Sequence, residues 1–191
     1  SLQFAHALRR QMDAILVGSG TVIRDNPALT IRQVPLDGVE HPLRIVLDRR
    51  GRISSDARIW NQDAPTLHIH GLNDIETIPN VESIAIANLD EEKGLHDLLD
   101  FLGDRGIQEL LIEGGPQIWT SFLKANLVDR LIHIRSRSEI GDGPMMILNQ
   151  AHLELNKLVL HSESEDTGDS IQIYTKSDFR PPNSTWPHPS S

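Results

Sequence analysis

Cysteine is absent from the 191-residue chain, which excludes disulfides and thiolate metal sites and leaves the redox compartment open. Basic residues are scarce beside acidic ones. The 18 Lys and Arg against 27 Asp and Glu give a formal net charge of -9, which disfavours a general nucleic-acid or anionic-membrane binder. Any bound phosphate must then be held by local groups. No apolar run approaches the roughly 20 residues that span a bilayer, and Ser1 to His6 lacks the basic-then-apolar layout of a signal peptide, so a cytoplasmic protein is expected. There is no internal repeat. With 38% hydrophobic residues the chain can bury a substantial core, and its length fits one domain, residues 1–177, with a disordered Pro- and Ser-rich tail from 178 to 191.

What the chain does have is two glycine-centred blocks. Val17-Gly18-Ser19-Gly20-Thr21-Val22 is followed by Asp25-Asn26-Pro27-Ala28-Leu29-Thr30-Ile31-Arg32, and Glu113-Gly114-Gly115-Pro116 comes much later. Each follows an apolar strand-like run, so glycine stands where the backbone leaves a sheet. Such turns let main-chain N–H groups approach a phosphate or pyrophosphate, and the second block opens a helix whose positive end favours anions. A phosphorylated cofactor bound across an α/β sheet is the expectation.

Phe4, Ala5 and Leu8 have helical spacing and lead into the strand-like Ala14 to Val17. Leu43–Leu47, Thr66–His70 and Ser83–Ala87 read as short strands, Leu95–Arg105 as a helix ended by Gly106, and Leu110–Ile112 as a strand feeding the helix Gln117–Ala125. Arg130–Ile134, Lys157–His161 and Ser170–Tyr174 read as late strands with no long helix between them, which predicts antiparallel pairing and a mixed sheet. The acidic run Glu163-Ser164-Glu165-Asp166 reads as a solvated hairpin loop, and Asp90-Glu91-Glu92-Lys93 as a solvated helix start.

On these residues the chain resembles the pyrimidine reductases of riboflavin biosynthesis, both the reductase half of the bifunctional deaminase/reductase and the stand-alone 5′-phosphate reductases. The likeness covers Leu2 to about Gly143, including Pro42 to Asp48 and Glu109 to Leu131. It implies a dihydrofolate-reductase-like α/β fold with a mixed, mainly parallel sheet flanked by helices, NADPH as cofactor, and a homodimer. It also implies reduction of the ribosyl group of a phosphorylated ribosylamino-pyrimidine to ribityl, by hydride transfer to ribose C1. Family members normally begin with a further strand, inside the sheet, ahead of the helix at Leu2. An amino-truncated domain is therefore expected. The family's late Ile-Ala-Pro and Gly-Gly are replaced by Ile134-Arg135-Ser136 and Gly141-Asp142-Gly143.

Carried over residue by residue, the resemblance places Thr21 and Asp25 against the cofactor, with Gly115, Pro116, Gln117, Ile118, Trp119, Thr120 and Ser121 cradling its pyrophosphate; Gly18 and Gly114 join the cofactor residues from the two glycine blocks, and Arg49 from the basic cluster that follows Asp48. Substrate falls to Arg9, Leu29, Arg32 and Glu113, with Arg32 on the 5-phosphate and Glu113 accepting from the amino-pyrimidine edge. Arg49-Arg50-Gly51-Arg52, the densest basic cluster, stands where a strand ends and suits a 2′-phosphate, although a solvated turn is the plainer reading. No proton donor is identifiable, so no catalytic residue is assigned. His68 and His70 share a strand face without a third ligand, and no metal is expected. Two other readings stand beside the reductase: a degenerate dinucleotide-binding relative, and a reductase of another pterin or pyrimidine, for which Arg32 would be dispensable.

Overall fold

Ala14-Ile15-Leu16-Val17 carries no polar side chain, and a strand of that kind is stable only when covered on both faces. It forms the centre of the molecule. The computed structural model describes residues 2–71, 75–135, 148–166 and 168–179. In chain order these give α1 (Leu2–Arg9), β1 (Ala14–Gly18), α2 (Ser19–Asp25), β2 (Leu43–Leu47), β3 (Thr66–His70), β4 (Glu82–Ala85), α3 (Glu92–Asp104), β5 (Leu110–Ile112), α4 (Pro116–Lys124), β6 (Arg130–Arg135), α5 (Gln150–Leu155), β7 (Leu158–Asp166) and β8 (Asp169–Lys176).

The first sheet is parallel throughout, in the order β4-β3-β2-β1-β5, with Ala14 level with Leu43 on one side and Leu110 on the other. Side chains alternate along β1. Leu16 enters a core with Ile45, Leu67, Leu98, Leu102 and Phe122, whereas Ile15 and Val17 enter a second core with Val46, Ile59 and Trp60. From β1 the chain works outward to β4 and then returns to the other flank of β1 as β5. The strand order therefore reverses between β1 and β5, which is where open α/β sheets place their ligand crevice.

The expectation of an α/β fold with a mainly parallel sheet flanked by helices is met, but the strands divide into two sheets. β6, β8 and β7 form a separate antiparallel sheet, in the order β6-β8-β7, with a bulge between Leu160 and Ser162. Phe4 of α1 packs on its Ile132, Ile171 and Ile173. Among the described residues β5 pairs only with β1 and β6 only with β8, so each presents an open edge. Both edges line one cavity of about 370 Å³, along with Met12, Trp119 and Phe122. The sheets part there, and no strand among the described residues bridges them.

Two further readings are corrected. The first glycine block is not a free turn: Gly18 is the N-cap of α2, and Gly20 and Thr21 lie inside that helix. Glycine is required at Gly18 by close approach, since a Cβ there would stand 2.8 Å from Ile118 Cγ1, whereas one at Gly20 would meet nothing within 4 Å. The acidic run Glu163 to Asp166 is strand, paired with Gln172 to Asp169. Its alternation of exposed Glu163 and Glu165 with half-buried Ser162 and Ser164 is the period-2 pattern of a half-solvated strand, and the left-handed Gly168 (φ 91°) turns the chain directly after it. Between β6 and β7 the described helix is the short α5, six residues long, which fits the expectation of no long helix there; it is opened by Asn149, whose side chain accepts from His152 N at 3.0 Å. Of the expected tail only Asp178 and Phe179 lie within the described residues; the remainder, with Ser136 and Gly141 to Gly143, lies outside them.

Candidate functional site

The C-terminal ends of β1 and β5 lie side by side, so the two glycine blocks abut. A Cβ on Gly114 would stand 3.6 Å from Gly18 N, and one on Gly115 would stand 3.6 Å from Thr21 Oγ1. Two helices begin at this junction. Gly115 is the N-cap of α4, Pro116 occupies its first turn, and no side chain caps it. Thr21 Oγ1 is buried at the same place with no hydrogen-bond partner. A buried orphan hydroxyl beside an uncapped helix end has the donor set for an anion such as a pyrophosphate.

A cavity of about 670 Å³ opens from this junction. Of the cofactor residues expected from sequence, it brings together Gly18, Thr21, Arg49, Gly115, Pro116, Gln117, Ile118 and Ser121. Ser121 Oγ is engaged in its own helix, donating to Gln117 O at 3.0 Å. Asp25, Gly114, Trp119 and Thr120 do not line it. Asp25 is instead held bidentately by Arg24, with both contacts at 2.9 Å, and that pairing keeps its carboxyl below the usual carboxylate range. Trp119 faces the cavity between the sheets. Ser19, Arg24, Leu47, Leu89 and Asp90 line this cavity without having been singled out from the sequence. Their common signal is topological: the ends of parallel β1 and β2 and the loop after β4 all open on one side of the sheet.

The four residues expected to meet substrate, Arg9, Leu29, Arg32 and Glu113, gather around the segment Ala28–Arg32. Arg9 reaches from α1 to Glu113, its Nε and Nη2 donating to Oε1 and Oε2 at 2.6 Å each, while Nη1 donates to Thr30 O at 3.2 Å. One guanidinium thus ties a helix, a strand end and a loop. Leu29 has a left-handed backbone (φ 51°) and a buried side chain packed in the core with Val17 and Ile59, so it can offer a ligand only its main chain. Arg32 is exposed, and its backbone N donates to Nδ1 of buried His6 at 3.3 Å. Burial, reinforced by the cations of Arg9 and Arg32 and opposed by Glu113, pushes the His6 pKa down, which favours the neutral ring that accepts this bond. His41 Nδ1 accepts from Ile31 N at 3.2 Å, and buried Arg44 donates to Ala28 O at 3.0 Å.

His68 and His70 are both buried, their ring centroids 5.4 Å apart, with Trp60 at 5.1 Å from His68. Among the described residues no group of three or more His, Cys, Asp or Glu could hold a metal ion. Burial pushes the His68 pKa down, with Asp48 opposing and His70 adding to the shift. The unfolded chain takes up this proton near pH 6.5 while the folded one resists it, so the unfolded state binds more protons in between and stability falls on acidification. The slope is at most about 1.4 kcal/mol per pH unit for one group. Melting curves from about pH 7.5 to about pH 5.5 are expected to show a declining Tm, and His68→Phe to flatten that decline; an unchanged slope in the variant would place the effect elsewhere.

Comparison with known proteins shows the family of the chain. Residues 1–169 match the RibD C-terminal domain. The chain is 39% identical over 140 residues to the 2,5-diamino-6-ribosylamino-4(3H)-pyrimidinone 5′-phosphate reductase of Archaeoglobus fulgidus, covering 68% of this chain and 64% of that one. It is 32% identical over 178 residues to the riboflavin biosynthesis protein RibD of Aquifex aeolicus, covering 92% of this chain and 49% of that one. A deaminase/reductase crystal structure from Thermotoga maritima superposes with a TM-score of 0.74 at 25% identity, covering 90% of this chain and 47% of that one. The chain therefore spans about half to two thirds of the length of these relatives. With its family match running over nearly the whole sequence and its fold shared with a solved member, this chain belongs to the RibD C-terminal domain family.

Proposed function

We propose that the chain reduces the ribosyl group of a phosphorylated ribosylamino-pyrimidine to ribityl, with NADPH as reductant, as a step of riboflavin biosynthesis. The observation that carries this reading is the Arg9–Glu113–Thr30 junction standing directly beside the anion cradle of Gly18, Thr21 and Gly115. A dinucleotide supplies the hydride. The protein's own part is to hold and orient. Thr21 and the first turn of α4 would bind the pyrophosphate, and Arg50, with no ion-pair partner among the described residues, gives the far end of the cavity a free cation for a 2′-phosphate. Glu113 presents carboxylate oxygens to the amino-pyrimidine, and exposed Arg32 reaches for the 5-phosphate.

The same reading includes a homodimer. It draws support from Ile134, Leu155, Val159 and Leu160, apolar side chains 38–54% exposed on β6, α5 and β7. The test of function is oxidation of NADPH by the purified chain with the phosphoribosylamino-pyrimidine, followed at the nicotinamide absorbance, with dinucleotide titration in parallel. Turnover abolished by Arg32→Ala supports the reading. Binding without turnover would favour a dinucleotide-binding relative, and turnover indifferent to Arg32→Ala would favour a substrate without phosphate.

A further inference from the structure

The cofactor cavity is lined by four arginines, of which three are engaged: Arg24 with Asp25, Arg52 with Ser19 Oγ at 3.0 Å, and Arg49 with Asp90. Among the described residues Asp90 is the one carboxylate that lines it. Its placement sets two chemistries against each other. A dinucleotide with a 2′-phosphate brings a dianion that needs Arg49 and Arg50 and is repelled by Asp90. A dinucleotide with a free ribose diol brings two hydroxyl donors, for which a carboxylate is the matching acceptor. Leu47 and Leu89, the neighbours of these charged groups along the chain, line the same cavity and give it an apolar wall suited to a base. The Arg49 and Asp90 side chains are 40% and 59% exposed. An ion pair that open to water is weak and exchangeable, so it works as a clip that a ligand can displace.

We propose that Asp90 sets the cavity's choice between dinucleotides with and without a 2′-phosphate, by occupying Arg49 while offering its carboxylate to a ribose diol. The inference rests on the dinucleotide reading above and assigns the specificity of that site to a residue outside both glycine blocks. In the protein as it stands Asp90 narrows the preference for a 2′-phosphate that Arg49 and Arg50 would otherwise give. In Asp90→Asn, Arg49 is released to the 2′-phosphate and the acceptor for the diol is weakened.

The test is equilibrium binding, read from nicotinamide fluorescence, of NADPH and of NADH to the wild-type chain, Asp90→Asn and Arg49→Gln. Adenosine 2′,5′-bisphosphate and AMP serve as competitors that report on the adenosine end alone. Each of the two contributions is worth about fivefold, so the ratio of the NADH to the NADPH dissociation constant is expected to rise about 25-fold in Asp90→Asn. Arg49→Gln is expected to lower it, with circular dichroism confirming that both exposed-site variants fold. A ratio in Asp90→Asn within about twofold of wild type, while wild type binds both dinucleotides, would overturn the role of Asp90 and leave the functional reading standing. Failure of the wild-type chain to bind either dinucleotide would overturn both.

Discussion

Glu113→Gln is expected to lower kcat/KM for the phosphoribosylamino-pyrimidine by about a hundredfold, the loss of one charge-assisted contact to substrate and of the bidentate hold on Arg9 together. The ion pair joins residues 104 positions apart, and its side chains are only 13% and 26% exposed. Solvent screens such a pair much less than a surface one. Arg9→Gln should act in the same direction, because Thr30 O loses its donor and the substrate segment loses its link to the β5 end. Either change should also destabilise the fold by about 1–3 kcal/mol, since the remaining charge is left without its partner. A double-mutant cycle separates the two roles. Coupling of about 1–3 kcal/mol in thermal stability measures the pair itself. If Glu113→Gln lowers Tm yet leaves kcat/KM at the wild-type value, the pair is a structural staple only and its place in substrate recognition is lost.

Arg44→Met is expected to be the most destabilising single change in the molecule outside the apolar core, by about 3–5 kcal/mol, with a Tm drop on the order of 10 °C for a domain of this size. Arg44 lies in the middle of the sheet on β2 and is fully buried. Its guanidinium donates to Ala28 O at 3.0 Å, Asn61 Oδ1 at 2.8 Å, Asn61 O at 2.5 Å and Ala64 O at 2.6 Å. Those acceptors belong to two loops that cross the end of the sheet. One of them is the segment carrying Leu29, Thr30 and Arg32. Methionine fills the volume but removes all four donated bonds, leaving Ala64 O only the long contact from Thr66 Oγ1 at 3.4 Å, whereas lysine keeps the charge and loses the planar fork. Arg44→Lys should therefore recover only part of the loss. A Tm within about 2 °C of wild type for Arg44→Met would show that the loops hold themselves in place without it.

Much of this architecture was legible in residue patterns, and its limits are instructive. The run Ala14 to Val17 announced a buried strand, and Leu98, Leu99 and Leu102 announced a helix with an apolar stripe, of which Leu98 and Leu102 are buried on that sheet and Leu99 only partly so, because apolar periodicity reports on which side of an element is dry. The glycine blocks marked the two places where strands hand over to helices. They did not reveal that Ser19 is already helical, since Gly-Ser-Gly is a poor helix former that is held in α2 by Val22 buried in the core. Glu163 to Asp166 was misread for a related reason. Charge indicates exposure, and an exposed strand face is as acceptable to an acidic run as a loop is. Asn149, a cap with a short helix behind it, was the signal for α5.

Arg9 and Glu113 were each legible as polar residues at an element's end, and each alone was indistinguishable from surface charge. Asp90 and Arg49 lie 41 positions apart, and nothing local to either suggests the other. The sequence by itself determined where the strands lie, the helices α1, α3 and α4, the two glycine junctions and the acidic, cysteine-free character of the chain, because these depend on neighbours a few residues away. The tertiary structure alone decided that β1 and β5 stand side by side at the reversal of strand order, that the strands part into two sheets between β5 and β6, and which cations are engaged and which are free. Those outcomes depend on which distant segments share one side of the sheet, and a linear pattern of apolar and polar residues fixes the face of each element but not its neighbour.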